Sequence, residues 1–174
     1  MRCFISINIP EEVSLKIQRI QSELPDFYGK KTELENLHLT LKFLGEIGED
    51  KVEKVKEKLR EIEFKKYKTC LDYIGFFDNQ KYGVVWLHIP KYEGLQKIVD
   101  CTTKKVGFDL EKRFMSHLTI ARVKSIKDKR EFLNGLKKIE IPKIKFNVDK
   151  FYLMNSKQRK TGPIYEIIEE YKLS

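Results

Sequence analysis

The sequence predicts an α+β fold with two lobes, in which two pseudo-symmetric β-α-β-α-β units with largely antiparallel sheets face a central groove and carry their helices outside. Two observations lead to this prediction. The pattern His-apolar-Thr-apolar occurs at residues 38–41 and again at 117–120, an offset of 79 positions. The strand and helix patterns around each copy recur with a similar period. A long repeat of this kind indicates a duplicated structural unit.

The chain length is compatible with a single domain, because 174 residues can bury a sizeable core without splitting. We therefore expect one two-lobed domain over residues 1–174. The first repeat should cover about residues 1–79 and the second about 80–158, and a C-terminal segment should follow at 159–174.

Each unit opens with a predicted strand that ends in Ile-Pro. Residues 2–9 and 83–89 alternate between aliphatic side chains on one face and mixed side chains on the other, which is typical of a strand with one buried face. Phe4 and Trp86 fall on the mixed face, where they either belong to the core or stack on a nucleic-acid base. His88 falls there too, opposite an asparagine in the first unit, so we interpret it as a surface or groove-wall residue.

A helix should follow each opening strand and each histidine strand, because apolar residues recur there at intervals of three and four. Asp50 with Glu53, and Ser125 with Asp128, have the spacing of a capping box and predict the starts of the second and fourth helices. Gly107 suits the end of the third helix.

The remaining segments are predicted to add strands. Residues 67–77 close the first unit, and residues 143–154 close the second. Residues 162–173 should form a turn and a last strand or short helix.

Composition and cysteine pattern exclude several classes of protein. The apolar fraction is 41% and no segment is low in complexity, which argues against disorder. We find no run of about 18 apolar residues and no resemblance to a secretory signal, so we expect a cytoplasmic protein without a membrane span. Cys3, Cys70 and Cys101 form no Cys-x-x-Cys pair, and we interpret them as small buried apolar residues with reduced thiols rather than a disulfide framework or zinc site.

Positive charge is concentrated in the second half of the chain. The net charge is +9, and residues 112–160 contain fifteen Lys or Arg against four Asp or Glu, so the rest of the chain sums to −2. Such a segment is either a footprint for a polyanion, nucleic acid first, or a solvated lysine-rich face. Lys157, Arg159 and Lys160 precede a Gly-Pro turn and are open to the same two interpretations.

The repeated motif places a histidine and a threonine on one face of a strand, since residues two apart on a strand share a face. His38 and Thr40 should therefore point together, and so should His117 and Thr119. If symmetry brings both strands to one groove, two imidazoles face each other there, roughly 5–7 Å apart. The alternating apolar residues of the first strand should point into the core instead; these are Leu37, Leu39, Leu41 and Phe43.

Two imidazoles and two hydroxyls in one groove suit the hydrolysis of a phosphodiester. In-line attack needs a base that takes a proton from water and an acid that protonates the departing oxygen, and histidine serves as either near neutral pH. Threonine hydroxyls can hold the non-bridging oxygens. The near symmetry of the units leaves open which histidine is the acid. No carboxylate or second histidine stands at a metal-ligand spacing from either motif, so we expect no metal.

The sequence resembles the two-histidine phosphoesterase superfamily, which carries paired His-x-Thr-x motifs in a two-lobed fold. Within that superfamily it is similar to the RNA 2′,3′-cyclic phosphodiesterases of archaea and bacteria, historically called 2′-5′ RNA ligases. The resemblance extends over nearly the whole chain and rests on five stretches: RCFISINIP, NLHLTLKFLGE, YGVVWL, SHLTIARV and GPIYE.

The resemblance implies hydrolysis of RNA 2′,3′-cyclic phosphate ends to a 2′-phosphate, without metal or organic cofactor. It implies that His38 is the proton donor, that His117 is the proton acceptor, and that Thr40 and Thr119 bind the phosphate. Arg122 matches an arginine often found after the second motif, and a guanidinium suits phosphate because it is bidentate and permanently charged. Strict alternation puts Arg122 on the face opposite His117, so it reaches the groove only if the strand ends or bulges there.

Two alternatives would use the same groove. One is a 2′-5′ RNA ligase that joins tRNA halves, in which a 5′-hydroxyl replaces water and two RNA ends must bind. The other is a module that binds a nucleotide or RNA end without turning it over, although such a module has no need of two titrating groups. We expect a monomer whose partner is RNA with a 2′,3′-cyclic phosphate end.

Overall fold

The computed structural model describes residues 1–79, 81–114 and 117–174. Within these ranges, no helix is long and apolar enough to cross a membrane. The helices in these ranges are α1 (Glu11–Ser22), α2 (Glu49–Arg60), α3 (Glu93–Lys104) and α4 (Lys129–Lys138), with a short 3-10 helix at Leu34–Asn36. The strands are β1 (Arg2–Asn8), β2 (Tyr28–Lys31), β3 (His38–Glu46), β4 (Tyr67–Leu71), β5 (Ile74–Asp78), β6 (Gly83–Leu87), β7 (Leu118–Ser125), β8 (Ile144–Val148), β9 (Lys150–Arg159) and β10 (Gly162–Lys172).

The first lobe is a four-stranded antiparallel sheet with the order β10-β9-β1-β3. Strand β3, which carries the first His-x-Thr pattern, is therefore an edge strand. Helix α3 packs against β3, and α2 packs against α3 and β10.

The second lobe is a four-stranded antiparallel sheet with the order β2-β7-β6-β5. Strand β7, which carries the second pattern, lies between β2 and β6. Helix α1 packs against β7, and α4 packs against β5. Helix α1 follows β1 of the first lobe but covers the sheet of the second, and α3 follows β6 of the second lobe but covers the sheet of the first. The first helix of each sequence repeat thus covers the sheet of the other lobe.

A hydrophobic core extends through both lobes. A two-stranded antiparallel sheet of β4 and β8 adds to it. Leu39 and Leu41 of β3, and Leu118 and Ile120 of β7, are at most 1% exposed. These residues anchor both motif strands in the core, so the opposite faces of these strands are available for a site.

The predicted fold class is confirmed, but several predicted strands are wrong in extent. Segment 67–77 is divided, because β4 pairs with β8 whereas β5 pairs with β6. Segment 143–154 is likewise divided between β8 and β9. The two halves of each segment pair in different sheets, so the strand is interrupted where the chain passes from one sheet to the other. Strand β2 was not predicted, and segment 162–173 forms a strand, β10, rather than a helix.

The starts of two helices also differ from the prediction. The N-cap of α2 is Gly48, which has no side chain that could accept a hydrogen bond from the first turn. The capping box predicted from Asp50 and Glu53 is therefore wrong. At α4 the N-cap is Asp128, whose carboxylate accepts the backbone N–H of Glu131 at 3.0 Å. Ser125 still belongs to β7, so α4 begins later than predicted because Asp128 itself supplies the cap.

Candidate active site

His38 opens β3 and lies beside Asn8 of β1, while Thr40 lies beside Ser6. Nδ1 of His38 is 2.7 Å from the carbonyl oxygen of Asn36, and Nε2 is 3.0 Å from Oγ1 of Thr40. A carbonyl oxygen only accepts, so Nδ1 carries the proton of the neutral ring. Nε2, on the side of Thr40, is therefore the nitrogen that gains and loses a proton.

Two aromatic rings pack against the imidazole of His38. The ring centroid of Phe4 is 4.9 Å away, and that of Tyr165 is 5.0 Å away and edge-on. Phe4 is only 3% exposed, so it belongs to the packing beneath His38 and offers no open face to a base. Tyr165 was not singled out from the sequence, although it lies in the GPIYE stretch.

The pKa of His38 reflects groups from both lobes. Burial lowers this pKa below its usual value, the hydrogen bond to the Asn36 carbonyl opposes that effect, and the positive charge of Arg122, together with that of His117 when its ring is protonated, lowers it further. His38 belongs to the first lobe, whereas Arg122 and His117 belong to the second. The two motif strands therefore meet in one electrostatic site.

His117 lies immediately before β7, and Thr119 lies within β7 beside Trp86 of β6. The ring of Phe77 is edge-on to that of His117, with the centroids 5.6 Å apart. His117 and Thr119 are both partly exposed, as are His38 and Thr40. Position 116, the first of the SHLTIARV stretch, is outside the described residues.

Both motif strands contain a β-bulge at the same distance from their histidine. In β3 the pairing with β1 skips Leu41, and in β7 the pairing with β6 skips Ile120. Two successive side chains are buried at each bulge, those of Leu41 and Lys42 in β3 and those of Ile120 and Ala121 in β7. Beyond each bulge the alternation of inward and outward residues is therefore inverted.

This inversion brings Arg122 to the face of β7 that carries His117 and Thr119. Arg122 is exposed and lies beside Val84 of β6. Its charge acts on His38, and it opposes the rise in the pKa of Tyr165 that burial causes. The sequence placed Arg122 in the groove only if β7 ended or bulged before it, and the bulge at Ile120 meets that condition.

The same inversion makes the prediction for Phe43 wrong. Leu37, Leu39 and Leu41 are in the core, but Phe43 is 68% exposed. Its ring lies 6.2 Å from that of Phe4, on the His38 face of the sheet. Phe43 follows its histidine by five residues, as Arg122 does, so the two side chains occupy equivalent positions. The two consecutive apolar residues Ile120 and Ala121 were an available signal for the bulge of β7, whereas Lys42 gives no such signal in β3.

His88 makes contacts away from the two motifs. Its Nδ1 is 2.7 Å from Oδ1 of Asp72, and its ring stacks on Tyr73 with the centroids 4.5 Å apart. These contacts agree with the interpretation of His88 as a surface or groove-wall residue. Trp86 lies between Tyr73 and Phe77, with ring centroids 5.8 and 4.9 Å away.

Basic side chains continue from Arg122 toward the turn between β9 and β10. Lys30 of β2 lies beside Arg122, donates to the carbonyl of Thr161 in that turn and forms an ion pair with Glu33. Arg159 and Lys160 are exposed there, whereas Lys157 forms an ion pair with a glutamate. This arrangement connects the edge of the second lobe with the tip of a hairpin of the first.

Candidate metal ligands are scattered. In the part of the chain that the structure describes, no group of three or more His, Cys, Asp or Glu side chains could hold a metal ion. The three cysteines are free thiols, of which Cys3 is buried and Cys101 is exposed.

A two-lobed α+β fold in which each lobe brings a His-x-Thr strand to a shared site defines a two-histidine phosphoesterase. The chain matches the family of LigT-like phosphoesterases over residues 7–86 and 89–165. It belongs to this family.

Full-length relatives and solved structures resemble the chain. The RNA 2′,3′-cyclic phosphodiesterase of Methanocaldococcus jannaschii is 35% identical, over 98% of this chain and 100% of the relative. The protein of the same name from Thermotoga maritima is 34% identical, over 98% of this chain and 94% of the relative. The structure of TT0787 of Thermus thermophilus superimposes with a TM-score of 0.82 at 23% identity, covering 99% of this chain and 97% of that one. Escherichia coli LigT complexed with 3′-AMP gives a TM-score of 0.81 at 23% identity, with 99% and 98% covered. These two structures share the fold.

Proposed function

We propose that the chain hydrolyses the 2′,3′-cyclic phosphate at RNA ends to a 2′-phosphate, with His38 and His117 as an acid–base pair and without a metal. The observation that carries this proposal is the convergence of both motif strands, since β3 of the first lobe, which begins at His38, is in contact with β7 of the second, which His117 immediately precedes. The names of the full-length relatives support the same substrate. We further propose that the protein acts in the cytoplasm as a monomer.

His38 acts as the proton donor in this mechanism, and His117 as the acceptor. His117 takes a proton from water as the water oxygen attacks phosphorus and forms the new P–O bond. Nε2–H of His38 gives its proton to O3′ as the P–O3′ bond breaks. The reaction leaves a 2′-phosphate, a 3′-hydroxyl, a neutral His38 and a protonated His117, and exchange with solvent restores both rings.

Thr40, Thr119 and Arg122 hold the non-bridging oxygens of the phosphate. When Nε2 of His38 is protonated it no longer accepts a hydrogen bond from Oγ1 of Thr40, so the hydroxyl hydrogen of Thr40 is free to bind a phosphate oxygen. Arg122 adds a charged, bidentate donor from the second lobe. These donors stabilise the negative charge that gathers on the oxygens in the transition state.

Phe43 provides a surface for the terminal base. Its ring is largely exposed on the His38 face of β3, and an open aromatic ring stacks with any base. The basic residues between Arg122 and the β9–β10 turn offer a path for the RNA backbone. Contacts of this kind are sequence-independent, so the proposed substrate class is the RNA end rather than a particular sequence.

An oligoribonucleotide with a 2′,3′-cyclic phosphate end tests the proposal. We expect a single product with a 2′-phosphate, identified by phosphorus NMR against synthetic 2′- and 3′-phosphate standards. A second RNA with a 5′-hydroxyl, added in excess, measures ligation in the same reaction. A 3′-phosphate product would contradict the assignment of O3′ as the leaving group. A joined product would favour the ligase, and tight binding without turnover would favour a binding module.

A further inference from the structure

Each β-bulge is held by a glutamine from the helix that covers its lobe. Gln21 of α1 is 4% exposed, and its Nε2 donates to the carbonyls of Thr32 and Ile120, both at 2.9 Å. Gln96 of α3 is 6% exposed, and its Nε2 donates to the carbonyl of Leu41 at 3.0 Å. Ile120 and Leu41 are the extra residues of the two bulges, so the same contact occurs in both lobes.

The amide of Gln21 joins two backbone segments. Thr32 follows β2, and its N–H also donates to the carbonyl of Ile120, at 2.9 Å. The carbonyl of Ile120 therefore accepts one hydrogen bond from backbone and one from a side chain. A buried amide that makes two such bonds fixes local geometry strongly, because any displacement leaves buried polar groups without partners.

We propose that Gln21 is a positioning residue that fixes the bulge of β7 and thereby holds Arg122 in the groove, and that Gln96 does the same for Phe43 on β3. The catalytic consequence rests on the proposed function, whereas the geometric consequence does not. Arg122 follows Ile120 by two residues and reaches the groove because the bulge inverts the alternation. A displacement of the Ile120 backbone therefore also displaces the guanidinium of Arg122.

The Gln21→Met variant removes both N–H donors at similar side-chain volume. We expect kcat for the cyclic phosphate to fall about 10- to 100-fold, because a displacement of about 1 Å in a positioning group has effects of that order. We expect KM to rise by a smaller factor than kcat falls, since the contact of Arg122 with the phosphate is weakened but Phe43 and the basic residues still bind the RNA. A folded variant with wild-type kcat would overturn the proposal.

A double-mutant cycle distinguishes positioning of Arg122 from a general loss of structure. When Arg122→Ala is already present, Gln21→Met should lower kcat by less than about twofold more, because the group through which it acts is missing. Gln96→Met is the matched control, and its effect should multiply with that of Arg122→Ala. Full multiplication of the Gln21→Met and Arg122→Ala effects would overturn the role of Gln21.

A readout without turnover separates this inference from the proposed function. Inorganic phosphate is titrated while the Nε–Hε NMR signal of Arg122, assigned by its loss in Arg122→Lys, is followed. We expect the signal to shift in the wild type and in Gln96→Met, and to respond only at much higher phosphate in Gln21→Met. Gln21→Leu, which also lacks N–H donors and buries no charge, replaces Gln21→Met if that variant does not fold.

The outcomes of this titration have different meanings. No shift in the wild type, or an unchanged titration in the folded Gln21 variant, would overturn the inference. The expected shifts in a protein that does not hydrolyse the RNA would support the inference and reject the proposed function.

Discussion

The imidazole of His38 is surrounded by groups that disfavour its protonated form in the free protein. Burial and the charges of Arg122 and His117 lower its pKa, and the Asn36 carbonyl only partly opposes them. A bound phosphodiester adds negative charge beside the ring, which raises the pKa again. The proposed proton donor therefore acquires its proton most readily when the substrate is present.

Replacing Arg122 by glutamine should raise the pKa of His38, because it removes a positive charge that disfavours the protonated ring. The alkaline limb of kcat/KM, which reports loss of the proton from His38 in the free enzyme, should move to higher pH in the same variant. Nitrogen chemical shifts of His38 followed through a pH titration measure the pKa directly. Lys124→Gln, an exposed change on the same strand, is the control, and an equal or lower His38 pKa in Arg122→Gln would contradict the account.

Replacing Phe43 by alanine should raise KM for the RNA by about 5- to 150-fold, which corresponds to the about 1–3 kcal/mol of one base stacked on an aromatic ring. The free energy of unfolding should change little, because Phe43 is 68% exposed. Steady-state kinetics and urea unfolding check the two expectations. Phe43→Trp keeps an aromatic surface and should keep KM near the wild type, whereas an unchanged KM in Phe43→Ala would exclude stacking at this position.

The spacing within each motif predicts which of the site residues share a face, but not all of them. His38 with Thr40, and His117 with Thr119, follow from alternation alone. Arg122 and Phe43 do not, because an extra residue that precedes each of them in its strand reverses the face to which they point. In β7 the consecutive apolar residues Ile120 and Ala121 indicate the extra residue, whereas in β3 the polar Lys42 follows Leu41 and the local pattern carries no such signal.

At the scale of elements, strand boundaries depend on which sheet a segment joins. Segment 67–77 has the composition of one long strand, yet its two halves pair with β8 and with β6. Alternation and propensity describe each half correctly. The break between them is set by tertiary structure. The chain must leave the two-stranded sheet of β4 and β8 before β5 can pair with β6 in the second lobe.

Replacing Asp128 by alanine should lower the free energy of unfolding by about 1 kcal/mol, because the backbone N–H of Glu131 loses its cap. Asp50→Ala is the matched control at α2, where Gly48 is the N-cap and no side chain caps the helix. That control removes only a favourable charge in the first turn, worth about 0.3–1 kcal/mol. Urea unfolding of both variants checks the prediction, and a larger loss in Asp50→Ala would contradict the assignment of the caps.

At the scale of the whole molecule, a buried ion pair connects β3 with α3 and with the segment that leads to the second motif. Nζ of Lys42, which follows the bulge residue of β3, is 2.6 Å from Oδ1 of Asp100 and 3.4 Å from Oε1 of Glu111. It also donates to the carbonyl of Asp109. Lys42 and Asp100 are each at most 4% exposed. This cluster joins the strand of His38 to the chain that approaches His117.

Replacing Lys42 by methionine should lower the free energy of unfolding by about 3–5 kcal/mol, because it leaves the carboxylate of Asp100 buried without its cation. Lys150→Met removes one partner of an exposed pair with Glu170 and should cost about 0–1 kcal/mol. Urea unfolding at neutral pH measures both losses. Similar losses in the two variants would show that the buried pair has no special part in joining these elements.

The repeat in the sequence predicts two lobes but not how the helices are shared between them. Helix α1 of the first unit packs on β7 of the second lobe, and α3 of the second unit packs on β3 of the first lobe. Local periodicity locates a helix and its apolar face. Local periodicity does not indicate which of the two sheets the apolar face of the helix packs against, because both sheets offer an apolar surface.

The central claim is that two histidines from different lobes perform the hydrolysis without a metal. The most direct test follows conversion of a 2′,3′-cyclic phosphate RNA in EDTA by phosphorus NMR, with the wild type, His38→Ala, His117→Ala and His88→Ala side by side. We predict turnover in the wild type and in His88→Ala, and a loss of about 10²- to 10⁴-fold in each of the other two variants. Turnover that stops in EDTA and returns with a divalent cation, or that survives the loss of either His38 or His117, would contradict the account.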